Sequence, residues 1–348
     1  MTEPLPAAAH PDHLTESFRR SGVLGSGRVC HVAVESSRNT LLSRIVRLHL
    51  TYDGTADDAP KSLILKTGLP DRAGNGRQEV AFYTQVVDAM RTRMVPRCYE
   101  AHWDAKQNAW HLLLEDLTDT HVVATAWPLP PTVEQCQTVV RARARFHAAW
   151  WDDPRLGTTV GLWSDDDTID RYLQRLADAV RRFTDRLGDR LPYERRELYD
   201  RLLASAPHLF ARYRSHRDVT IVQGDAHAWN CFLPKTGGDD DVRFFDWDCW
   251  RIDTGSDDLA YMMAMHWYPD RRRILERPLL DLYHATLVAH GIAYDRQALD
   301  EDYRLSVLWQ LTTPVWQAGN NLPPVIWWNN LERILLAVDD LGCRNLLT

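Results

Sequence analysis

The sequence predicts an α+β protein of two lobes, a strand-rich N-terminal lobe over residues 1–116 and a mainly helical C-terminal lobe over residues 117–348. Three observations support this division. Short β-rich runs fill most of the first third, segments with helical periodicity dominate the rest, and two polar motifs interrupt the helical part between residues 219 and 248. A chain of 348 residues has enough material for one large or two modest domains.

In the N-terminal lobe, apolar and β-branched runs bounded by turn signals predict strands. The predicted strands cover residues 28–35, 43–52, 61–67, 97–103 and 109–114. A helix over residues 77–95 is expected between the third and fourth strands, because apolar side chains recur there at helical spacing. Pro96 is expected to end that helix, since proline lacks the backbone N–H that a helix needs.

The C-terminal lobe is predicted to begin with a helix that runs to about residue 151, because Thr132 and Gln135 form a capping box. Helical segments are also expected over residues 168–215 and from Asp257 to the end. Between them, residues 219–223 and 242–246 are expected to form one strand pair, joined around the Gly237-Gly238 turn.

Composition excludes several classes of protein. The net charge is −7 and no basic stripe dominates, so nucleic acid is not an expected partner. No apolar run reaches membrane-spanning length, and residues 1–11 lack the pattern of a signal peptide. The six cysteines are scattered without a C-x-x-C pair, which is typical of reduced cysteines. A cytoplasmic location is therefore expected.

The two polar motifs contain the most informative residues of the chain. The first reads Q-G-D-A-H-A-W-N over residues 223–230, and the second reads F-F-D-W-D over residues 244–248. The D-x-x-x-x-N spacing of Asp225 and Asn230 is that of kinase catalytic loops, where the aspartate receives the substrate hydroxyl proton and the asparagine binds magnesium. Asp246 follows in the position of a second metal-binding aspartate, and magnesium prefers such oxygen ligands. We therefore predict Asp225 as the catalytic base and Asn230 and Asp246 as magnesium ligands.

Further residues in the N-terminal lobe are predicted to bind a nucleotide. Lys66 lies near the end of an apolar strand, and Glu79 opens the next helix. In kinases, such a strand lysine pairs with a helix glutamate and holds the α- and β-phosphates. The purine base of the nucleotide is expected to hydrogen-bond to backbone groups at Glu115 and Leu117, between the lobes. A nucleotide is thus the expected phosphoryl donor, together with Mg²⁺.

The loop over the phosphates is predicted from chain order. A glycine-bearing segment at residues 22–27 does not have the G-x-G-x-x-G spacing. The connection between the first two predicted strands, residues 36–42, is in the right place and rich in hydroxyl groups. Ser37 and Asn39 are therefore expected to contact the nucleotide there, as polar side chains that can bond to phosphate oxygens.

These residues together resemble the aminoglycoside phosphotransferase and choline kinase superfamily, which has a protein-kinase-like fold. The matching segments span most of the chain: L-I-L-K at 63–66, Glu79, L-L-L-E-D-L at 112–117, Q-G-D-A-H-A-W-N at 223–230, F-D-W-D at 245–248 and D-D-L-A at 257–260. The hydroxyl-rich phosphate loop and H-A-W-N look closest to the ecdysteroid kinase-like branch. Gln223 departs from the family, which usually has histidine before Gly-Asp, and this puts the packing of the loop in question.

The resemblance implies a small-molecule kinase that transfers the γ-phosphoryl group of ATP or GTP to a hydroxyl of a small molecule. The acceptor class stays open between a natural product, an antibiotic and an amino alcohol. The acidic C-terminal lobe favours a cationic acceptor such as an aminoglycoside. The tryptophans and the arginines at 271–273 favour a neutral or aromatic acceptor. A choline-like cation held in a cage of tryptophan rings also fits. A monomer or homodimer without a membrane partner is expected.

Several roles and two other functions remain open. His227 can be a structural or a substrate-binding residue, and Asp248 a second metal contact or a cap. One of Asp257 and Asp258 is expected to cap a helix and the other to brace the catalytic loop. A metal-dependent glycosyltransferase that uses Asp246 and Asp248 is an alternative, although it leaves the lysine and glutamate unexplained. A non-catalytic nucleotide-binding module is another.

Overall fold

The computed structural model describes residues 5–69, 76–90, 93–236, 238 and 241–348. Its strands are β1 (Arg28–Asn39), β2 (Ser43–Asp53), β3 (Ser62–Gly68), β4 (Cys98–Asp104), β5 (Ala109–Glu115), β6 (His121–Val123), β7 (Thr220–Val222), β8 (Cys231–Pro234), β9 (Arg243–Phe244) and β10 (Arg251–Asp253). Its helices are α1 (Pro11–Arg20), α2 (Gly76–Ala81), α3 (Val133–Trp150), α4 (Asp166–Leu187), α5 (Tyr193–Leu209), α6 (Ala211–Arg214), α7 (Ser256–Ala260), α8 (Pro269–Ala289), α9 (Arg296–Trp309), α10 (Thr312–Gly319) and α11 (Pro324–Asp340). The predicted α+β class is confirmed.

The chain forms two compact units. The first unit contains Met1–Val123 and Cys231–Trp250, and the second contains Ala124–Asn230 and Arg251–Thr348. The chain therefore passes from one unit to the other three times, after Val123, after Asn230 and after Trp250. None of the described helices is both long and apolar enough to cross a membrane.

An antiparallel sheet organises the first unit. Among the described residues, its strands follow the order β1-β2-β3-β5-β4. Leu63, Leu65 and Leu113 on one face of this sheet are buried in a core with Leu14 and Phe18 of α1. A smaller sheet in the same unit has the order β6-β8-β9. Because side chains alternate along a strand, Leu63 and Leu65 of β3 lie on the face of this core, and the buried Lys66 lies on the opposite face.

Residues 11–20, for which the sequence predicted no element, form helix α1, which proline opens at its first position. Two predictions for the first unit need correction. β1 extends to Asn39 instead of ending at residue 35, because backbone pairing continues through exposed polar residues that give no strand pattern. The helix predicted to reach residue 95 ends at Ala89, after a π-helical turn and a 3₁₀ turn, and Met90 is extended. β-branched and aspartate residues near this end favour helix poorly.

Helices dominate the second unit, as the sequence predicts. Helix α3 begins where expected, because the Thr132 side chain accepts from the Gln135 amide while the Gln135 side chain accepts from the Thr132 amide. Its buried face includes Arg143 and His147, one turn apart. A two-stranded sheet of β7 and β10 completes the described part of this unit.

The predicted pairing of residues 219–223 with 242–246 is wrong. β7 pairs with β10 in the second unit, whereas β9 pairs with β8 in the first. The sequence of β10, Arg-Ile-Asp, and the four residues of β8, ending in proline, carry no clear strand pattern. Of the predicted turn at Gly237-Gly238, residue 237 lies outside the described residues. The first polar motif therefore follows a strand of the second unit, and the second follows a strand of the first.

Candidate active site

In the first unit, three predicted site residues come together as the Lys66 cluster, which consists of Lys66, Glu79 and Asp246. The Lys66 Nζ lies 2.7 Å from the Glu79 carboxylate and 2.6 Å from Asp246 Oδ1. Glu79 lies 13 residues from Lys66 along the chain, and Asp246 lies 180 residues from it. Lys66 and Glu79 are buried, whereas the side chain of Asp246 is 39% exposed. One ammonium group thus forms ion pairs with two carboxylates, and that of Asp246 remains partly exposed to solvent.

The electrostatics of the Lys66 cluster favour a cation. Burial alone would lower the pKa of Lys66, but the carboxylates of Asp246 and Glu79 outweigh it and raise this pKa above its ordinary value. Burial, reinforced by the charge of Asp246, raises the pKa of Glu79 despite the attraction of Lys66. Lys66 is therefore charged at neutral pH, and the cluster has an excess of acidic groups over basic ones.

Aromatic packing fixes the segment that carries Asp246. Trp247 stacks on Phe82 with ring centroids 3.9 Å apart, and its backbone N–H lies 3.4 Å from Glu79 Oε1. Trp250 and Gln78 exchange two side chain-to-backbone hydrogen bonds of 2.7 Å. Asp246 itself has a positive φ of 66°, an uncommon backbone conformation for a residue other than glycine. The packing of α2 against residues 247–250 therefore holds Asp246 beside Lys66.

The predicted phosphate-loop residues lie in a strand, not in a loop. Ser37 pairs with Val46 and Asn39 with Arg44, so the connection between β1 and β2 shrinks to residues 40–42. Thr40 closes this hairpin by backbone and hydroxyl bonds to Ser43. Ser37 Oγ accepts a hydrogen bond of 3.0 Å from Arg44 Nε. Whether Ser37 and Asn39 bind a nucleotide stays a prediction.

The predicted base-binding residues lie where β5 ends. The Glu115 carboxylate accepts from the Arg97 amide at 3.1 Å. The Leu117 carbonyl accepts from the amides of Thr120 and His121, at 3.1 and 2.8 Å, in the turn that leads to β6. Their nucleotide-binding role also stays a prediction, and the Leu117 carbonyl already takes part in a turn.

In the second unit, residues 223–230, called the Asp225 loop below, bring Asp225 and Asn230 together. Asn230 Nδ2 donates to Asp225 Oδ2 at 2.9 Å and to the Asp225 carbonyl at 3.0 Å. The Tyr261 hydroxyl donates to Asp225 Oδ1 at 2.6 Å, and His227 Nε2 lies 3.4 Å from Oδ2. Gly224 has a φ of 80°, so glycine suits the turn that delivers Asp225. With the amide nitrogen of Asn230 bonded to Asp225, its amide oxygen is the atom suited to a metal.

These contacts favour the ionised form of Asp225. Burial would raise its pKa, but the charge and hydrogen bond of His227, the Tyr261 hydroxyl and the more distant His266 hold it well below its ordinary value. A carboxylate that stays ionised at neutral pH is a weak base. It is better suited to accept a hydrogen bond from a hydroxyl and to orient that group than to remove its proton in advance.

Asp258 braces the Asp225 loop from behind, as the sequence predicted for one member of the Asp257-Asp258 pair. Its carboxylate accepts from the backbone amides of Gln223 and Gly224, at 3.1 and 3.0 Å. It also forms an ion pair with Arg143, and His147 Nε2 lies 3.2 Å away. All of these groups are buried. Burial would raise the pKa of Asp258, but Arg143 and His147 hold it well below its ordinary value.

Gln223, the departure from the family pattern, is part of this bracing network. Its side-chain oxygen accepts from Arg143 Nη2 at 3.1 Å, and Arg143 also bonds to the Ala226 carbonyl at 3.3 Å. The loop packing that the sequence left in question is therefore supported by Arg143. The expected cap is absent: helix α7 has Gly255 at its N-cap position and no side-chain cap, and Asp257 bonds instead to Arg251 and Gln310.

Aromatic rings surround the Asp225 loop, and two of them, Tyr261 and His266, were not predicted from the sequence. His266 has ring centroids 5.4 Å from Trp229 and from His227, and 4.9 Å from Tyr261. Tyr261 opens a π-helical turn, Tyr261–Met265, and such turns are frequent at functional sites. The apolar residues of this segment resembled a core helix, so only their place directly after D-D-L-A could have marked them.

The two residues whose roles the sequence left open are placed as follows. His227 contacts Asp225. Asp248 lies in the turn after Trp247, and its role stays open.

Comparison with known proteins gives a family match and a fold. The model of the ecdysteroid kinase-like family matches residues 38–151. No curated protein sequence matches the chain. Among solved structures, a candidate aminoglycoside phosphotransferase from Ralstonia eutropha JMP134 is similar, with a TM-score of 0.60 and 14% identity over 96% of this chain and 98% of that one.

Two further structures agree. Choline kinase LicA from Streptococcus pneumoniae has a TM-score of 0.53 and 12% identity, over 94% of this chain and 98% of that one. A thermostable mutant of the aminoglycoside phosphotransferase APH(4)-Ia, in a ternary complex with ADP and hygromycin B, has a TM-score of 0.52 and 13% identity, over 92% and 96%. The chain therefore has a kinase-like fold, and the predicted resemblance to the aminoglycoside phosphotransferase and choline kinase superfamily is confirmed.

Proposed function

We propose that this protein is a small-molecule kinase that transfers the γ-phosphoryl group of ATP or GTP to a hydroxyl of a small acceptor. The observation that carries the proposal is the Lys66 cluster, in which the strand lysine contacts both the helix glutamate and the aspartate of the second motif. A lysine held by a helix glutamate is how kinases hold the α- and β-phosphates. Solved structures of similar fold include complexes with ADP and GDP, which supports a nucleotide as the donor.

Each unit, taken by itself, offers oxygen ligands of the kind that hard cations such as magnesium prefer. In the first unit, Asp246 offers a half-exposed carboxylate beside that of Glu79. In the second unit, Asn230 offers an amide oxygen. Magnesium, when bound, would offset the charge of the phosphate oxygens. Lys66 would contribute the same kind of stabilisation from the protein, since its raised pKa keeps it charged.

Asp225 is proposed to orient the acceptor hydroxyl and to receive its proton as the new bond to phosphorus forms. Tyr261 and Asn230 hold the two carboxylate oxygens, which fixes the direction in which the carboxylate accepts. The aromatic rings of His227, Trp229 and His266 lie around it and suit an acceptor with a ring or another apolar face. We therefore favour a hydroxylated natural product or antibiotic over a fully polar sugar.

Nucleotide-dependent thermal stabilisation tests the proposal before any acceptor is known. ATP and GTP would each be added with and without Mg²⁺ to the unmodified protein, to Asp246→Asn and to Asp57→Asn, an exposed aspartate of the β2–β3 connection. A nucleotide at about 100 times its Kd should add roughly 2.7 kcal/mol to the free energy of unfolding. We expect magnesium-dependent stabilisation by one nucleotide in the unmodified protein and in Asp57→Asn, and a much weaker effect in Asp246→Asn.

A panel of aminoglycosides, amino alcohols and glycosylated or polycyclic natural products would then be screened for phosphorylated product by mass spectrometry. Phosphorylation of one class would identify the acceptor. Stabilisation by nucleotide sugars but not by ATP or GTP would overturn the kinase proposal in favour of a glycosyltransferase. Stabilisation by ATP or GTP with no transfer to any class would favour a binding module.

A further inference from the structure

A cluster of metal-ligating side chains lies in the first unit, apart from the residues of the proposed kinase site. It consists of His13 on α1, Glu100 on β4 and His111 on β5, called the His-Glu-His cluster below. His13 Nε2 lies 2.9 Å and His111 Nε2 lies 2.8 Å from the same atom, Glu100 Oε1. The three ligand atoms all lie within 4.8 Å of one another. Helix α1 and the consecutive strands β4 and β5 thus direct three ligand atoms to one point.

The sheet separates this cluster from Lys66. In the register of β3 and β5, Lys66 pairs with Leu112 and Thr67 pairs with His111. Directly paired residues share a face, and neighbouring residues along a strand point to opposite faces. His111 therefore lies on the α1 face of the sheet, and Lys66 lies on the other. The cluster is a feature in its own right, which the kinase chemistry does not use.

The ligand set and its burial suit a zinc-type ion. Two imidazole nitrogens and one carboxylate oxygen form a set that proteins use for Zn²⁺, with bonds of about 2.0–2.2 Å. In tetrahedral geometry such bonds place ligand atoms about 3.3 Å apart, so the two N···O distances would open by only about 0.5 Å. Glu100 and His111 are largely buried, with 12% and 14% of their side chains exposed, and His13 is 34% exposed. The more exposed side leaves room for a water molecule as fourth ligand.

The contacts of Glu100 orient its carboxylate so that one oxygen, Oε1, is directed toward the proposed ion. Arg20 Nη2 donates to Glu100 Oε2 at 2.8 Å, so the arginine holds the oxygen that the histidines do not use. Such outer contacts orient a ligating carboxylate and restrict it to one metal bond. Arg20 also brings a positive charge close to the site, which would weaken binding by a hard cation such as Mg²⁺ more than binding by a metal that forms strong bonds to imidazole.

Binding here would attach α1 to the sheet. α1 already buries Leu14 and Phe18, and its Thr15 hydroxyl accepts from the Val29 amide at 2.9 Å. We propose that His13, Glu100 and His111 form a site for a divalent transition-metal ion of the zinc class, which ties α1 to β4 and β5. Because only the folded chain brings the three ligands together, bound metal would stabilise the fold by mass action.

The test measures thermal unfolding of the untagged, EDTA-treated protein with increasing ZnCl₂, and the visible absorption spectrum with CoCl₂. We expect the midpoint of unfolding to rise with the logarithm of the zinc concentration, and cobalt to give the intense bands of a tetrahedral site. His111→Gln and His13→Gln should each lose both effects. His49→Gln, which removes an exposed histidine from β2 of the same unit, should keep both.

Two variants are used because one of them can fold poorly, and the midpoint of each in EDTA reports folding without metal. Three results would overturn the proposal. They are the absence of a zinc-dependent shift, an equal shift with MgCl₂, and a shift that persists in His13→Gln and His111→Gln. Any of these would leave the cluster as a hydrogen-bonded anchor for α1. None depends on nucleotide or acceptor, so this proposal and the kinase proposal fail independently.

Discussion

The Lys66 cluster of the first unit and the Asp225 loop of the second each centre on an aspartate, but the two surroundings differ. In the Lys66 cluster, one ammonium serves two carboxylates, and one of them remains 39% exposed. In the Asp225 loop, hydrogen-bond donors from Tyr261 and Asn230 hold both oxygens, and Asp258 braces the backbone. The first arrangement suits charged ligands that bring cations, and the second suits a neutral hydroxyl that must be oriented.

The largest expected effect is on catalysis and separates the two regions by role. Asp225→Asn removes the group that we propose receives the hydroxyl proton, and we expect kcat to fall by about 10²–10⁴. Stabilisation by the nucleotide should stay as in the unmodified protein, because the Lys66 cluster is intact. The measurement is kcat with the acceptor found in the panel, together with nucleotide-dependent thermal unfolding.

Asp200→Asn is the matched control, since Asp200 is an exposed aspartate of α5 in the same unit. It should change neither quantity. An Asp225→Asn protein with normal kcat would contradict the assigned role, and one that no longer responds to nucleotide would show that the substitution acts on folding.

The second expected effect is on stability. Asp258→Asn leaves the buried Arg143 without its counter-charge, and we expect a loss of about 3–5 kcal/mol in the free energy of unfolding, measured with urea. Arg143→Met combined with Asp258→Asn removes both charges and keeps an acceptor for the amides of Gln223 and Gly224. The double variant should therefore recover part of the loss. A double variant as unstable as the sum of the two single ones would argue against coupling.

Lys66→Met tests the other region, where we expect a smaller loss of about 1–3 kcal/mol. The loss is smaller because Asp246 is partly hydrated and the pKa of Glu79 is already raised, so Glu79 can take up a proton. Glu79, whose pKa is raised in the folded protein, stabilises the fold when it is protonated, and this contribution disappears as pH rises. The stability loss of Lys66→Met should therefore become smaller as pH is lowered from 7 to 5. Urea unfolding at several pH values measures this.

Glu79→Gln in the same protein should remove that pH dependence, since the group that takes up the proton is gone. Lys61→Met, at an exposed position just before β3, is the control and should be nearly neutral. A defect that grows as pH falls would contradict the argument, because it would require a group other than Glu79.

Tyr261→Phe should have a moderate effect on catalysis. It removes one hydrogen bond to the ionised Asp225, and such bonds contribute about 1.5–3 kcal/mol, so a loss of about 10- to 150-fold in kcat is expected. The lower limb of the pH–rate profile should move to higher pH, because Tyr261 helps to hold the pKa of Asp225 down. A structural role alone would change stability without moving that profile. Tyr268→Phe, at an exposed tyrosine, is the control.

The sequence predicted those contacts whose partners sit in recognisable motifs. Lys66 with Glu79, and Asp225 with Asn230, follow from residue order and spacing, because short separations limit where the side chains can lie. Arg143 and His147 were not predicted, since charged residues one turn apart on an amphipathic helix are usually solvated. Their partner Asp258 lies 115 and 111 residues away, and only tertiary packing brings them together. The same limit explains the wrong strand pairing, since β8 and β10 are too short for a pattern.

The smallest expected effect concerns the ring beside the Asp225 loop. Burial, with the charges of His227 and Arg333, lowers the pKa of His266 to about 3, and Asp225 and the Tyr261 carbonyl oppose this only in part. At acidic pH the unfolded chain therefore protonates this histidine more readily than the folded chain does, and protonation favours unfolding. The contribution of His266 to stability is complete above about pH 6.5 and is lost as pH falls. Between pH 7.5 and 5.5 the loss should be about 1 kcal/mol. His266→Asn retains a donor for the Tyr261 carbonyl and should flatten that slope, whereas His208→Asn, at an exposed residue of α5, should not. An unchanged slope in His266→Asn would mean that the ring accepts a proton in the folded state, and would assign the acid sensitivity of this unit to His147 or its neighbours.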